Sequence, residues 1–176
     1  MPDPTFNFQD TALTLLAMTQ RTVKRATEGL TEEQLFYQPS PDSNSIGWLA
    51  WHLSRWKDRY VAMVTERPHV WVSQGWHQRF GMDPEGTGFG DTPEQVRAFR
   101  VGRELLFGYV DAAHQATVDF VKEVTLEQWE KPYQYMPTMK PITTWQGFVA
   151  VSLDFTQHTG QIAYLRGLIT GRGWMG

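Results

Sequence analysis

A helical rhythm of apolar residues, repeated in four long segments, constrains this chain more than any other feature. Residues spaced by threes and fours share one face of a helix. From about Asn7 to Glu28 that face carries Phe8, Ala12, Leu15, Thr19, Val23 and Ala26, with Leu30 just beyond. From Ser43–Ser45 to about Thr65 it carries Leu49, His52, Trp56, Tyr60 and Met63. A third stripe, from Thr92 to about Glu123, holds Val96, Phe99, Arg103, Leu106, Val110, Ala113, Thr117 and Phe120. The fourth, between Thr144 and Thr170, holds Val151, Asp154, His158, Gln161, Leu165 and Leu168. No strand pattern competes with them. Four amphipathic helices of this length predict an all-α four-helix bundle. The 176 residues suit one domain, 1–176, with a substantial core.

Local signals mark the helix ends. Thr31-Glu32-Glu33-Gln34 and Thr125-Leu126-Glu127-Gln128 have the capping-box pattern of short helical turns. Thr92-Pro93-Glu94-Gln95 opens the third helix with a cap and a proline at the first helical position. Arg67-Pro68 ends the second helix, and a long loop runs through Gly90. Long loops without secondary structure are often functional lids. This one is rich in rings and glycines, among them Trp71, Trp76, Phe80, Gly86, Gly88 and Phe89. Residues 131–141, with three prolines, form a second loop. There is also an internal echo. Thr31–Leu35 resembles Thr125–Trp129, and Gly47-Trp48-Leu49-Ala50-Trp51 resembles Gly147-Phe148-Val149-Ala150-Val151. The echo suggests a pseudo-twofold relation between the halves.

Composition narrows the function classes. A net charge of -3 and a pI near 5.9 lack the basic excess of a duplex-binding surface. Nucleic acid is therefore not an expected partner. No apolar run reaches membrane-spanning length. Met1-Pro2-Asp3-Pro4 lacks the charged and apolar regions of a signal peptide, so a cytoplasmic protein with no membrane partner is expected. Cysteine is absent, which removes disulfides, thiolate ligands and cysteine nucleophiles. Eight tryptophans predict large rings in the core or around a pocket.

Polar residues interrupt the fourth stripe. Asp154 and His158 are i and i+4, so their side chains meet over one turn. His52 occupies a core-facing position on the second helix. Burying these groups costs free energy unless they are satisfied. A divalent metal held by His52, Asp154 and His158 would satisfy them, with remaining positions left to water or substrate. The competing reading pairs Asp154 with His158 along the helix and gives His52 a backbone carbonyl. Spacing alone does not choose between the two. Around this constellation, Gln161 is placed to support a ligand through a hydrogen bond, and Trp56 to line a cavity. Arg103 could orient an anionic substrate or snorkel to the bundle edge. His77, in the long loop, is a candidate for proton transfer. His69 is expected to be a solvated loop residue, and His114 a surface or packing one. Arg166 is expected to pair with a carboxylate or a helix end.

Ser45-Ile46-Gly47-Trp48-Leu49-Ala50-Trp51-His52-Leu53 and Gln157-His158-Thr159-Gly160-Gln161-Ile162-Ala163-Tyr164-Leu165-Arg166-Gly167 resemble the DinB-like superfamily of metalloenzymes. Thr31–Leu35 followed by Pro39, and the Gly75–Gly81 loop, fit the same pattern. The resemblance implies an up-down-down-up bundle. It also implies a divalent metal, most often zinc or nickel, bound by one histidine of the second helix and two ligands of the fourth. Iron or manganese would also suit such donors. His52 and His158 match two of the family's ligand positions. The third, usually histidine and in some branches glutamate, is Asp154 here, one methylene shorter than glutamate. Members with known activity imply a transferase using a low-molecular-weight thiol, and homodimers formed through helix faces. The expected activity is therefore transfer of a small thiol to a small-molecule electrophile. Metal-dependent hydrolysis, a non-catalytic ligand-binding or stress-response role, and an iron oxygenase site are the alternatives.

Overall fold

Four long helices carry the fold: α1 (Phe8–Thr27), α3 (Ile46–Thr65), α7 (Arg103–Glu123) and α9 (Thr144–Thr170). The computed structural model describes residues 7–135 and 138–172; Met1–Pro4 and Pro137, used above, lie outside the described residues. Short helices join the long ones: α2 (Glu32–Leu35), α4 (Val70–Ser73), α5 (Trp76–Phe80), α6 (Pro93–Ala98) and α8 (Leu126–Glu130). Among the described residues the protein is all-α apart from an antiparallel ribbon of two residues per strand, β1 (Pro132–Tyr133) with β2 (Ile142–Thr143). No described helix is long and apolar enough to cross a membrane.

The local signals act as their chemistry requires. Thr31, Thr92 and Thr125 close full capping boxes with Gln34, Gln95 and Gln128. Thr143 does the same for α9 with Gln146. Each box satisfies amide groups that the first helical turn leaves without partners. Asn7 caps α1, and Ser45 caps α3.

Three expectations are corrected. The third stripe is broken: α6 ends at Ala98, residues 99–102 are not helical, and α7 starts at Arg103. Tertiary packing overrides the periodicity here. Phe99 docks among Phe36, Trp51 and Phe80, and the Glu32 carboxylate accepts the Arg103 amide at the new helix start. The two loops are also structured, by α4 and α5 in one and by the ribbon at the edge of the other. Finally, the fourth stripe does not face the core along its length. Val151 and Leu165 are buried, Asp154 and His158 are half-buried, and Gln161 and Leu168 are exposed. The core face of α9 is Phe148, Val151, Phe155 and Ile162. Its outer face is apolar as well, with Trp145, Val149, Leu153, Tyr164 and Leu168. A helix apolar on both sides hides its core face from a periodicity argument.

α3 packs against α7 and α9, and α1 packs against the same two helices. Phe8 and Phe148 meet near the starts of α1 and α9. At the other end of that pair, Arg166 donates to the carbonyls of Ala26 and Glu28. Gln9 donates to Val121 near the end of α7, and Arg103 at its start donates to Thr27. Tyr60 donates to the Thr144 carbonyl at 2.9 Å, tying the end of α3 to the start of α9.

The internal echo has a packing basis. In each half, a boxed short helix is followed by an aromatic ring that lies on a glycine in the first turn of a long helix. Phe36 covers Gly47 and Tyr133 covers Gly147, so a methyl group at either glycine would overlap the ring. The two sites differ in compliance. The Phe36 ring is 5% exposed and wedged against Phe99, whereas Tyr133 is half-buried and its hydroxyl has no hydrogen-bond partner to lose. Overpacking typically costs about 1–3 kcal/mol. Gly47→Ala should fall in that range and Gly147→Ala should cost less, as read from urea unfolding midpoints of the two variants.

Candidate metal centre

α3 supplies His52, and α9 supplies Asp154 and His158. One potential ligand atom from each lies within 4.8 Å of the others. The two imidazoles are 5.0 Å apart between centroids and nearly perpendicular, at 78°. His158 Nε2 lies 3.4 Å from Asp154 Oδ1.

The other ring nitrogens are engaged behind the cluster. His52 Nδ1 is 2.5 Å from the Thr87 carbonyl, and His158 Nδ1 is 2.7 Å from Gln161 Oε1. The Thr87 carbonyl only accepts, so His52 Nδ1 donates and its Nε2 keeps its lone pair; His158 faces acceptor oxygens at both nitrogens, and an ion would take the place of its Nε2 proton. This is the arrangement typical of metal-binding histidines. Asp154 Oδ2 is buried without a hydrogen-bond partner. A buried carboxylate oxygen left this way carries a desolvation cost that a cation would offset. The three side chains therefore fit a divalent ion.

The surroundings fix His52 firmly. Its ring stacks on Trp48 at 4.5 Å and 12°, and Trp56 approaches edge-on at 6.4 Å. Trp48 Nε1 donates to Asp91. Gly88 lies against this stack with φ of +82°, and a Cβ there would come within 2.8 Å of His52, Trp48 and Trp51. Glycine suits both the left-handed backbone and the close approach. Phe89, 74% exposed, projects beside Trp56.

The electrostatics differ between the two rings. Burial is the main influence on His52 and lowers its pKa, with the Thr87 hydrogen bond in partial opposition. His52 is thus held neutral, the form that binds metal. Burial also acts to lower His158, but hydrogen bonds to Asp154 and Gln161 and the Asp154 charge outweigh it, and its pKa is raised. Tyr135 is pushed up by burial first and then by the Asp154 charge.

Gln161 and Trp56 lie against the cluster. Arg103 does not join it: its guanidinium donates to Leu30 and Thr27 at the end of α1. His77, on α5, is bonded through Nδ1 to the Trp71 carbonyl at 3.1 Å. His69 Nε2 lies 3.9 Å from Glu85, and its Nδ1 is buried without a partner. Two clefts, of about 690 and 500 Å³, lie elsewhere, one bordered by Phe36 and Arg97 and the other by Pro68 and Phe120. Neither includes a cluster residue, so donor chemistry rather than volume locates this candidate site. Sequence reasoning missed Thr87, Asp91 and Tyr135, and noted Gly88 only as one glycine of a ring-rich loop. Only the glycines flanking Thr87 carried a signal, and a backbone carbonyl carries none.

The sequence model of the DinB superfamily matches residues 15–162. The crystal structure of a conserved protein from Enterococcus faecalis has the same fold, with a TM-score of 0.84 at 24% identity. The match covers 96% of this chain and 100% of that one. No curated protein matches the chain.

His114 stands apart from the cluster, and its titration has a readable consequence. Its Nδ1 is buried without a partner. Burial, then the Lys57 charge, depresses its pKa from 6.5 to about 4, against the opposing charge of Asp111. Between those values the unfolded chain binds a proton that the folded chain does not, so stability falls as pH drops through the interval. Urea midpoints should fall more steeply from pH 6.5 to 4 in the wild type than in His114→Leu. Parallel curves would show that His114 does not titrate this way.

Proposed function

Because the chain belongs to the DinB superfamily, we propose that it is a divalent-metal-dependent enzyme transferring a low-molecular-weight thiol to a small electrophile. One observation carries the reading. Two imidazoles with engaged Nδ1 atoms and a carboxylate with an orphaned, buried oxygen converge on one point. His52, Asp154 and His158 would hold the ion, with zinc or nickel favoured over iron or manganese. Such an ion lowers the pKa of a bound thiol and makes thiolate available at neutral pH.

The chain's own residues supply orientation and shelter. Thr87 and Gln161 set the faces of the two histidines. Trp56 and Phe89 form an aromatic wall beside His52, suited to a small apolar electrophile. In the transfer, sulfur bonds to the electrophilic carbon, the leaving group departs with its bonding electrons, and the thiol proton passes to solvent. His77 and Arg103 are given no part, because each is bonded elsewhere.

The long-helix contacts support an up-down-down-up bundle. The paired ends of α1 with α9 favour one direction for those two, and the end-to-start bonds of α1 with α7 and of α3 with α9 favour the opposite direction for α3 and α7. The apolar outer face of α9 supports a homodimer through that helix. Leu153→Glu should then convert a dimer to a monomer in sedimentation velocity, and an unchanged profile would reject this face.

Metal analysis of untagged protein tests the central reading. About one equivalent per chain is expected in the wild type, and almost none in His52→Ala or His158→Ala. With the metal present, thiol consumption should match electrophile loss and vanish in both variants. Electrophile loss without thiol consumption would identify a hydrolase. A wild type that neither carries nor takes up zinc, nickel, iron or manganese would overturn the enzymatic reading in favour of a ligand-binding protein.

A further inference from the structure

One turn along α3 from His52 lies Arg55, a charged side chain with no exposed surface. Its Nε donates to the Gly86 carbonyl at 2.8 Å, and Nη2 makes a longer contact to Pro84 at 3.4 Å. Nη1 reaches Asp58 at 3.5 Å and Tyr109 at 3.4 Å, and the guanidinium lies 4.9 Å above the Trp71 ring. Asp58 is anchored independently. It accepts the amides of Val70 and Trp71 at 2.8 and 2.9 Å and the Tyr109 hydroxyl at 3.1 Å. Trp71 Nε1 in turn donates to the Asp83 carbonyl. The carbonyls of residues 83, 84 and 86 are thus all held from the protein interior. The next carbonyl, Thr87, is the one on His52.

This network is weak evidence for stability, since a buried ion pair often contributes little more than apolar packing of the same volume. It is better explained by what it holds. The segment has glycines at 86, 88 and 90, which give it little stiffness of its own. Placing one carbonyl on one imidazole nitrogen needs an external clamp. A planar guanidinium with several donors in fixed directions can grip backbone carbonyls and a carboxylate together; an ammonium cannot match that geometry.

We propose that Arg55 is the positioning residue of this centre: by gripping the 84–86 backbone it keeps the Thr87 carbonyl on His52 Nδ1, so that Nε2 faces Asp154 and His158. The consequence for metal binding rests on the function proposed above; the effect on the His52 ring does not.

The experiment reads both. Nitrogen-15 spectra of the metal-free wild type, at a pH where His52 is neutral, should show its Nδ1–H tautomer. In Arg55→Met that signature should give way to a mixture, and zinc affinity, measured by competition with a chromophoric chelator, should weaken about tenfold or more. Asp58 keeps three other donors, so this variant should fold. Arg55→Lys restores a charge beside Asp58 without the fork. It should recover thermal stability but not the tautomer or the affinity, a split that a purely structural role would not produce. If Arg55→Met fails to fold, Arg55→Lys carries the comparison. A wild-type His52 protonated on Nε2, or a folded variant with unchanged tautomer and zinc affinity, would overturn the inference. A wild type that binds no zinc but loses its tautomer in the variants would instead sink the metal reading and leave the role of Arg55 standing.

Discussion

The register between α3 and α9 is the constraint on which the candidate centre depends. Tyr60, fully buried, donates to the Thr144 carbonyl while its ring packs on Phe148 and Phe120. This joins the end of one helix to the start of the other. About two turns back along α3 comes His52; about three and four turns forward along α9 come Asp154 and His158. A slip of one residue on either helix would rotate a ligand by about 100° around its axis and take it off the shared point. The aromatic packing around Tyr60 is therefore part of the chemistry, although it touches no ligand.

Two groups of interior polar residues contrast. Asp58, Arg55 and Tyr109 satisfy one another and nearby backbone. They behave as a closed network, whose value lies in fixing geometry. The cluster at His52, Asp154 and His158 is different: its outer atoms are paired, but a carboxylate oxygen is not. Low local polarity makes an incomplete set costly, which is why that oxygen says more about ligand binding than any cleft volume does.

Much of the scaffold was legible in order along the chain. Capping boxes at Thr31, Thr92 and Thr125 worked because they are local chemistry, complete within four residues. The ends of α1 and α9 were readable from the apolar spacing itself. The break at residues 99–102 was not, because Phe99 leaves the helix to meet the ring that follows α2 and rings on α3 and α5. The exposure of Leu168 and Gln161 was hidden by an outer face on α9 as apolar as its inner one.

For the centre itself, sequence alone determined the donors: an i, i+4 carboxylate–imidazole pair, a histidine on another amphipathic helix, and an amide one turn beyond His158. These follow from helical spacing, which is a property of neighbours in the chain. Only the tertiary structure decided that His52 meets the pair, that Arg103 turns to the end of α1, and that a Thr87 carbonyl sets the histidine's tautomer. Those outcomes depend on contacts between residues far apart in sequence. One of them uses a backbone atom that every residue carries, so no residue type could announce it.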